Sequence, residues 1–170
     1  MQLTSLTDVL VEETADLFSA EQQLVAALPK MAAVAHSDEL REAFESHLEE
    51  TREHVQRLQQ VFAELGVDAP SETCEAMQGL IREGDEIGQA EGDPVAIDVA
   101  LIGAAQRIEH YEIAAYGTAR AIASELDLSA VEDLLDATLR EEGKADELLT
   151  KIATGGLVGS GVNREAANRG

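Results

Sequence analysis

The chain has 170 residues, a length typical of one domain, and 45% of them are hydrophobic, enough to bury a core. Its 34 acidic residues outnumber 12 basic ones, and a net charge of −22 disfavours binding to nucleic acids or anionic membranes because both would repel such a surface. Only three basic residues are lysine. This acid-rich, lysine-poor composition favours a halophilic source, and the alternative is an ordinary acidic protein kept soluble by its charge.

Cysteine content and targeting signals exclude further classes. Cys74 is the only cysteine, so the chain forms neither an internal disulfide nor a thiolate zinc site. The first eight residues lack a basic region followed by an apolar stretch, and no stretch approaches the length of uncharged apolar residues that spans a bilayer. We therefore expect a cytoplasmic protein with no signal peptide, no membrane span and no nucleic-acid partner.

Apolar residues recur at spacings of three and four, which predicts helices throughout. The first helix opens near Thr7 or Asp8, either of which can cap it, and Pro29 predicts a kink or a nearby end. The second helix starts after Ser37 and stops at Gly66, which is suited to a C-cap.

A different pattern follows the second helix. Pro70 and Ser71 predict a turn and an N-cap for a short amphipathic helix over residues 72–87, after which glycines and a proline break the chain. The third long helix runs from about Pro94 to Ser124, with the proline well placed in its first turn.

The fourth long helix begins at Ser129, where Glu132 is placed to complete a capping box, and it ends at Gly155. Five glycines over residues 155–170 predict a flexible tail, with no short helix after the fourth long one. Two helical pairs joined by a long connection predict an all-α, ferritin-like four-helix bundle over residues 1–154. Its one crossover carries the short extra helix and leaves the second and third long helices parallel.

Four glutamates occupy or adjoin positions where apolar side chains belong. Glu21, Glu112 and Glu142 fall on the apolar stripes of the first, third and fourth long helices, and Glu50 lies beside that of the second. A carboxylate buried alone is expensive, whereas several are tolerable around a cation. When the two helical pairs are overlaid, Glu21 falls on Glu112 with an offset of 91 residues and Glu50 falls on Glu142 with an offset of 92. A pseudo-two-fold bundle would gather these carboxylates near its middle, as in a dinuclear metal site.

Further ligands lie nearby in the sequence. His47 precedes Glu50 by three residues, Glu109 precedes Glu112 by three, and Asp146 follows the fourth-helix glutamate by one turn. Hard oxygen ligands with one or two imidazoles suit iron or manganese. The predicted metal ligands are therefore Glu21, His47, Glu50, Glu109, Glu112, Glu142 and Asp146.

The sequence leaves other residues of this region open. His54, His110 and Tyr116 lie close to the predicted ligands along their helices. Each could be a ligand, a neighbour of a ligand or a packing residue, and packing is the commoner role for such a residue taken alone. Tyr116, one turn after Glu112, could donate a hydrogen bond to a ligand or relay an electron.

Several segments resemble a known family, the YciE/YciF family of ferritin-like stress proteins. The resemblance covers roughly residues 6–153 and rests on segments 16–24, 28–31, 47–51, 74–77 and 108–117. The run Glu-His-Tyr-Glu at 109–112 is the most specific of these. The resemblance implies a rubrerythrin-like four-helix bundle, a dimer, a dinuclear metal centre and a role in stress, but it implies no particular reaction.

The sequence departs from the wider ferritin-like pattern, which has Glu-x-x-His on two helices. Here Glu50 is followed at the third position by Glu53, and Glu142 by Ala145. In the second helix, His47 precedes Glu50 instead of following it, and the fourth helix has no histidine. A site richer in carboxylates would hold its metals differently and shift their redox potential, which weakens the inference of ferroxidase or peroxidase activity.

Two functions follow from these patterns. The first is a stress-associated homodimer whose dinuclear iron or manganese site oxidises Fe(II) or consumes peroxide. Its electrons would come from an unidentified donor, because the chain lacks the four cysteines of a rubredoxin-like module. The alternative is a non-enzymatic oligomeric stress protein whose metal site is structural or absent. The net charge disfavours DNA protection, and the expected lack of a short final helix disfavours a 24-subunit storage cage.

Overall fold

Six helices and no strands make up the residues described by the computed structural model, which are 3–69, 71–156, 159 and 161–169. The all-α prediction is confirmed. Among these residues, no helix is both long enough and apolar enough to cross a bilayer. The helices are α1 (Leu6–Val34), α2 (Asp38–Leu65), α3 (Glu75–Gly88), α4 (Pro94–Glu125), α5 (Ser129–Thr154) and α6 (Val162–Ala167).

The four long helices form two hairpins, α1 with α2 and α4 with α5, and α1 also packs against α4 while α2 packs against α5. The connection over residues 66–93 carries α3 and returns to the end of the bundle where α2 begins. There Asp98, near the start of α4, accepts hydrogen bonds from the backbone N–H of His36 at 2.9 Å and of Ser37 at 2.7 Å. α2 and α4 are therefore parallel, and the predicted ferritin-like topology with one crossover is confirmed.

The ends of the first hairpin follow from its capping residues. Ser5 caps α1, because the Asp8 N–H donates to its hydroxyl at 3.1 Å and the Asp8 carboxylate accepts from the Ser5 N–H at 2.9 Å. The predicted caps, Thr7 and Asp8, are therefore wrong by two or three residues. The helix continues past Pro29 to Val34, so Pro29 does not end it.

The predicted capping box at the start of α5 is wrong. Leu128 occupies the N-cap position and offers no side-chain hydrogen bond, while Ser129 is the first helical residue. The reason lies in the turn from α4, where Asp127 adopts a positive φ of 57° and the Leu128 N–H donates to the Ala123 carbonyl at 3.0 Å. This tight turn leads the chain directly into the helix. By contrast, Gly66 ends α2 in the left-handed conformation, as predicted.

The crossover helix α3 starts three residues later than predicted, at Glu75. Its N-cap is Cys74, which is buried and whose sulfur accepts a hydrogen bond from the Met77 N–H at 3.3 Å. Ser71 lies outside this helix, and Pro70 lies outside the described residues. The helix packs against α1 and α4 and covers one side of the bundle.

A sixth helix, α6, follows the bundle and packs against α4 and α5. The prediction that no short helix follows the fourth long one is therefore wrong. The chain folds back through Gly155, where φ is +80° and a Cβ would lie 2.3 Å from the Gly159 oxygen and the Gly161 nitrogen. Arg169 then contacts Asp93, the N-cap of α4, at 3.6 Å. A helix of six residues is too short to show a 3.6-residue period in sequence.

Apolar side chains fill the bundle in two clusters with a polar layer between them. The first cluster, at the α1–α2 turn, includes Leu24, Leu28, Met31, Leu40, Phe44, Leu101, Ile108, Leu149 and Ile152. The second, at the other end, includes Leu10, Leu17, Phe18, Leu58, Val61, Phe62, Tyr116, Val131 and Leu135. Along α1, Glu21 stands one turn from Leu17 of the second cluster and from Leu24 of the first. The buried polar residues are therefore enclosed by apolar packing on both sides.

Candidate metal centre

Four carboxylates meet in the polar layer. Glu21 comes from α1, Glu109 and Glu112 come from α4, and Glu142 comes from α5. At most 3% of the surface of any of them is exposed. Glu109 and Glu112 are three residues apart, which places them on one face of α4. Such burial is expensive for carboxylates that have no compensating partner.

Two histidines of α2 face these carboxylates. His47, Thr51, His54 and Leu58 are all buried, and their spacing of four, three and four residues marks a single face of the helix. Both imidazoles therefore point into the bundle, two turns apart along α2, with ring centroids 6.3 Å from each other. The Thr51 hydroxyl between them donates to the His47 carbonyl at 2.9 Å and is not available to the carboxylates.

The side chains form two groups that share Glu142. One atom from each member of a group lies within 4.8 Å of the others. Glu142 directs Oε2 toward His47 Nε2 at 3.7 Å and Oε1 toward His54 Nδ1 at 3.0 Å. A single carboxylate thus offers one oxygen to each group. The first group is His47, Glu109, Glu112 and Glu142, and the second is Glu21, His54 and Glu142.

Nine buried ligand atoms of these six residues make no hydrogen bond of good geometry with the described residues, although His54 Nδ1 and Glu142 Oε1 lie 3.0 Å apart. Both oxygens of Glu112 and both of Glu142 are among them, together with both ring nitrogens of His47. Most buried polar groups in folded proteins are paired, and each unpaired one costs on the order of 1–3 kcal/mol. Nine such atoms within one layer indicate that a species outside the protein chain pairs with them.

The carboxyl groups of Glu21, Glu109 and Glu112 resist ionisation when only protein surrounds them. Burial raises the pKa of Glu112 well above its ordinary value, and the charges of Glu142 and Glu21 add to this effect. For Glu109, burial outweighs the favourable charge of His47 and raises the pKa to about 8. Burial also raises the pKa of Glu21, although His54 opposes the rise.

The histidines respond in the opposite direction. Burial alone would lower the pKa of His47, but Glu109 and Glu50 outweigh it and raise the pKa to about 9. Burial likewise opposes protonation of His54, yet Glu142 and Glu21 raise its pKa to about 11. Without a bound cation, protons on these side chains therefore balance the charge of the layer, and a cation would displace them.

The donor set fits a metal ion. Four carboxylates carry four negative charges, the charge of two divalent cations, and the two neutral imidazoles add nitrogen donors. Cys74 lies outside both groups, so the layer offers oxygen and nitrogen but no sulfur. The buried carboxylate and histidine cluster can therefore hold a metal ion.

The same architecture occurs in proteins of known family. The profile of a family described as a domain of unknown function (DUF892) matches residues 5–167 of this chain. The chain belongs to the DUF892 family. It is 38% identical over 170 residues to Protein YciF of Escherichia coli (strain K12), with 99% of each chain covered. The predicted resemblance to the YciE/YciF family is confirmed.

Solved structures support the same assignment. The crystal structure of the E. coli stress protein YciF matches this DUF892 chain with a TM-score of 0.85 and 39% identity, covering 87% of this chain and 94% of that one. YcfI from Rhodopseudomonas palustris, for which a structural role has been proposed, matches with a TM-score of 0.85 and 40% identity, covering 89% and 97%. A Xanthomonas campestris pv. campestris protein shares the fold at 21% identity and a TM-score of 0.70, covering 97% and 94%.

In this DUF892 chain, the partly exposed carboxylate of Glu141 contacts the ring nitrogen of His54 that faces away from the candidate centre. His54 Nε2 lies 3.0 Å from Oε2 of Glu141, and Arg57 fixes Glu141 by donating from Nη2 to Oε1 at 3.2 Å. A histidine that donates one N–H to a carboxylate presents its other nitrogen as a lone pair. Glu141 therefore orients the imidazole so that Nδ1 faces Glu21 and Glu142.

Tyr116 closes the same end of the layer. Its side chain is fully buried, and its hydroxyl donates to Glu21 Oε1 at 2.6 Å. Burial, followed by the charges of Glu21 and Glu142, raises the pKa of Tyr116 well above its ordinary value, so the hydroxyl keeps its proton. Of the roles left open by the sequence, the structure gives Tyr116 that of a hydrogen-bond donor to a candidate ligand.

Two predicted ligands lie outside the two groups. Glu50 is 47% exposed, with Oε2 3.5 Å from Nδ1 of His47, because it lies about 60° around the helix from that histidine. Asp146 accepts a hydrogen bond from Gln106 at 2.9 Å near the surface between α4 and α5. The fourth buried carboxylate is thus Glu109 instead of Glu50. The predicted ligands that the structure does bring together are Glu21, His47, Glu109, Glu112 and Glu142.

His54 joins the second group, although the sequence left its role open. The signal was present, because His54 lies on the same apolar stripe as His47 and seven residues after it. A buried histidine alone is most often a packing residue, and only the approach of Glu21 at 3.3 Å identifies this one as a candidate ligand. His110 is 67% exposed and lies 3.4 Å from Asp146, away from both groups.

Proposed function

We propose that this protein binds two ions of iron or manganese in the two groups that share Glu142, and that the loaded centre oxidises Fe(II) or consumes peroxide under stress. The observation that carries the proposal is Glu142 itself, fully buried, with one oxygen directed toward each group. A shared carboxylate is what a dinuclear site needs.

The protein groups have separate tasks in this proposal. Glu21 and His54 would hold one ion, while His47, Glu109 and Glu112 would hold the other. Oxygen-rich donors favour iron or manganese over metals that prefer thiolates. When bound, the two ions would supply adjacent redox equivalents for a reaction with dioxygen or peroxide.

The surroundings prepare the layer for such ions. Glu141 fixes the imidazole of His54, and the Tyr116 hydroxyl fixes one oxygen of Glu21. The two apolar clusters exclude water from both ends of the layer and so strengthen the interaction between the carboxylates and a cation. The protons held by Glu109 and His47 would leave as the cation enters.

One observation favours a second candidate, a non-enzymatic stress protein in which the metal is structural. YcfI of Rhodopseudomonas palustris, 40% identical to this chain, is a protein for which a structural role has been proposed. In that case the metal would stabilise the bundle by pairing with the nine unpaired atoms, and it would catalyse nothing.

Anaerobic loading with Fe(II), followed by addition of air, separates the two candidates. Under the proposal, Fe(II) bound to the protein should be oxidised by air faster than Fe(II) in buffer alone. The Glu142→Ala variant should lose this acceleration while keeping its helical content. Glu147→Ala, an exposed change on the same helix, is the matched control and should behave like the wild type. A structural metal would raise the melting temperature in the wild type without any acceleration. Equal oxidation rates with and without protein would therefore refute the enzymatic proposal.

A further inference from the structure

A cavity of about 100 Å³ lies between α2 and α5 beside the candidate metal centre. Its inner end is formed by His47 and Glu109, and its outer end opens to solvent between Lys144 and Leu148. Glu21, His54 and Glu112 do not line it, and none of them has exposed surface. A molecule entering through this cavity would therefore reach the centre at its first group only.

The inner end of the cavity carries unpaired polar atoms. His47 is 7% exposed and Glu109 is 3% exposed, and neither ring nitrogen of His47 nor Oε2 of Glu109 has a hydrogen-bond partner among the described residues. These atoms offer a donor and an acceptor at the bottom of a small space. A hydroxyl-like group fits such a pair because it can donate and accept at once.

The walls of the cavity are apolar. Phe44 and Leu149 are buried parts of the first cluster, and Ala43 and Ala145 face the space from opposite helices. The two alanines leave the gap that larger side chains would fill. A volume of this size suits a compact hydrocarbon body, since a cavity of about 150 Å³ holds benzene in another protein. Apolar walls favour an apolar body with only one polar end.

Charge selects against an anion in this space. The four buried carboxylates would balance two divalent ions, so a loaded centre leaves no excess positive charge to attract one. With the centre loaded and His47 neutral, Lys144 is the cationic side chain among the described lining residues, and Glu50 at the rim adds a carboxylate. The surface beyond carries most of the 34 acidic residues. An uncharged molecule meets none of this repulsion.

We propose that the cavity binds a small uncharged molecule with an apolar body and one hydroxyl or hydroperoxide end, oriented with that end toward His47 and Glu109. The inference that such molecules are substrates of the centre rests on the proposed function, because only a metal-loaded centre could act on them. The binding itself depends on the cavity and can be measured without metal.

The test titrates metal-free protein with tert-butanol and follows the alanine methyl signals by NMR. Saturable shifts are expected at Ala43 and Ala145 and not at exposed Ala121. Ala145→Leu should fill the cavity and weaken binding by about tenfold or more, corresponding to about 1.4 kcal/mol. Ala43→Val is a smaller change that should act in the same direction if the leucine variant folds poorly. Ala121→Leu is the matched control and should bind as the wild type does.

Pivalate, which has the same apolar body and a carboxylate end, tests the charge argument in metal-loaded protein, where it should bind at least tenfold more weakly than the alcohol by calorimetry. Absence of saturable shifts, equal binding by Ala145→Leu, or tighter binding of pivalate would each overturn the proposal. Metal content of the same variants is measured in parallel. Metal uptake without alcohol binding would refute the cavity proposal alone, and alcohol binding without metal uptake would refute the proposed function while leaving the cavity site intact.

Discussion

Replacing Glu112 with leucine should stabilise the metal-free protein. Glu112 is fully buried, neither of its oxygens has a hydrogen-bond partner, and it forms no ion pair with a histidine among the described residues. Because its pKa is raised well above the ordinary 4.5, the folded chain retains a proton that the unfolded chain releases. Stability is therefore lost as the pH rises from about 4.5 toward the folded pKa. At pH 7 this costs at most about 3 kcal/mol, because each pH unit between 4.5 and the folded pKa contributes about 1.4 kcal/mol.

Leucine is close to glutamate in size and removes this cost. The metal-free variant should be more stable than the wild type at pH 7 by up to about 3 kcal/mol, which raises the melting temperature by at most about 6–12 °C in a domain of this length. At pH 5 the difference should shrink to below about 1 kcal/mol, since pH 5 lies only about half a unit above the ordinary pKa of 4.5 and the unfolded chain gains little by releasing its proton.

Circular dichroism melts in chelator at pH 5 and pH 7 measure this difference. Glu45→Leu, an exposed change on α2, is the control and should shift stability by no more than about 0.5 kcal/mol. Adding iron or manganese should reverse the order, because the wild type gains binding energy that a chain lacking this ligand does not. A Glu112→Leu variant that melts below the wild type in chelator at pH 7 would show that Glu112 is held by favourable protein contacts, contrary to the reasoning.

Three further outcomes are expected. Glu141→Gln should weaken metal binding by about 10–100-fold in a chelator competition, because His54 loses the partner that orients it, whereas the exposed control Glu53→Gln should not; equal affinities would refute that role. Metal affinity should rise between pH 7 and pH 9, since Glu109 with a pKa of about 8 and His47 with a pKa of about 9 must release protons to bind; a titration showing constant affinity would contradict this. The melting temperature should rise from dilute buffer to molar KCl as salt screens the net charge of −22, and a flat response would count against the proposed halophilic source.

The long helices could be predicted from sequence because each is long enough to repeat its apolar stripe many times. The errors concern short-range features that periodicity does not encode. Ser5 caps α1 ahead of the predicted caps because a reciprocal pair with Asp8 forms there. Ser129 fails to cap α5 because the turn at Asp127 leads the chain into the helix one residue early. The helix at Val162–Ala167 is too short to show a period.

The helical stripes in the sequence locate the fully inward residues of the candidate site and leave open the reach of the residues beside the stripes. Glu21 and Glu142 lie centrally on their stripes, and both are fully buried. Glu50 and Asp146 are each turned away from the stripe, and a sequence pattern cannot tell whether such a side chain reaches inward. The overlay of the two helical pairs also assumed equal halves. The halves differ, because α2 supplies two histidines where α5 supplies Glu142 and the partly exposed Asp146. The offset of 92 residues pairs His54 with Asp146, so the overlay indicates the position of His54 but not that only the imidazole turns inward.

In the proposed centre, Glu142 stands between two metal ions. Anomalous X-ray diffraction at the iron or manganese absorption edge, from crystals of the full chain reconstituted with that metal, tests it most directly. Two anomalous peaks are expected inside the bundle, one beside His47, Glu109 and Glu112 and the other beside Glu21 and His54, with Glu142 between them. Crystals of metal-reconstituted protein with no anomalous peak in either group, or with a single peak that Glu142 does not touch, would contradict it.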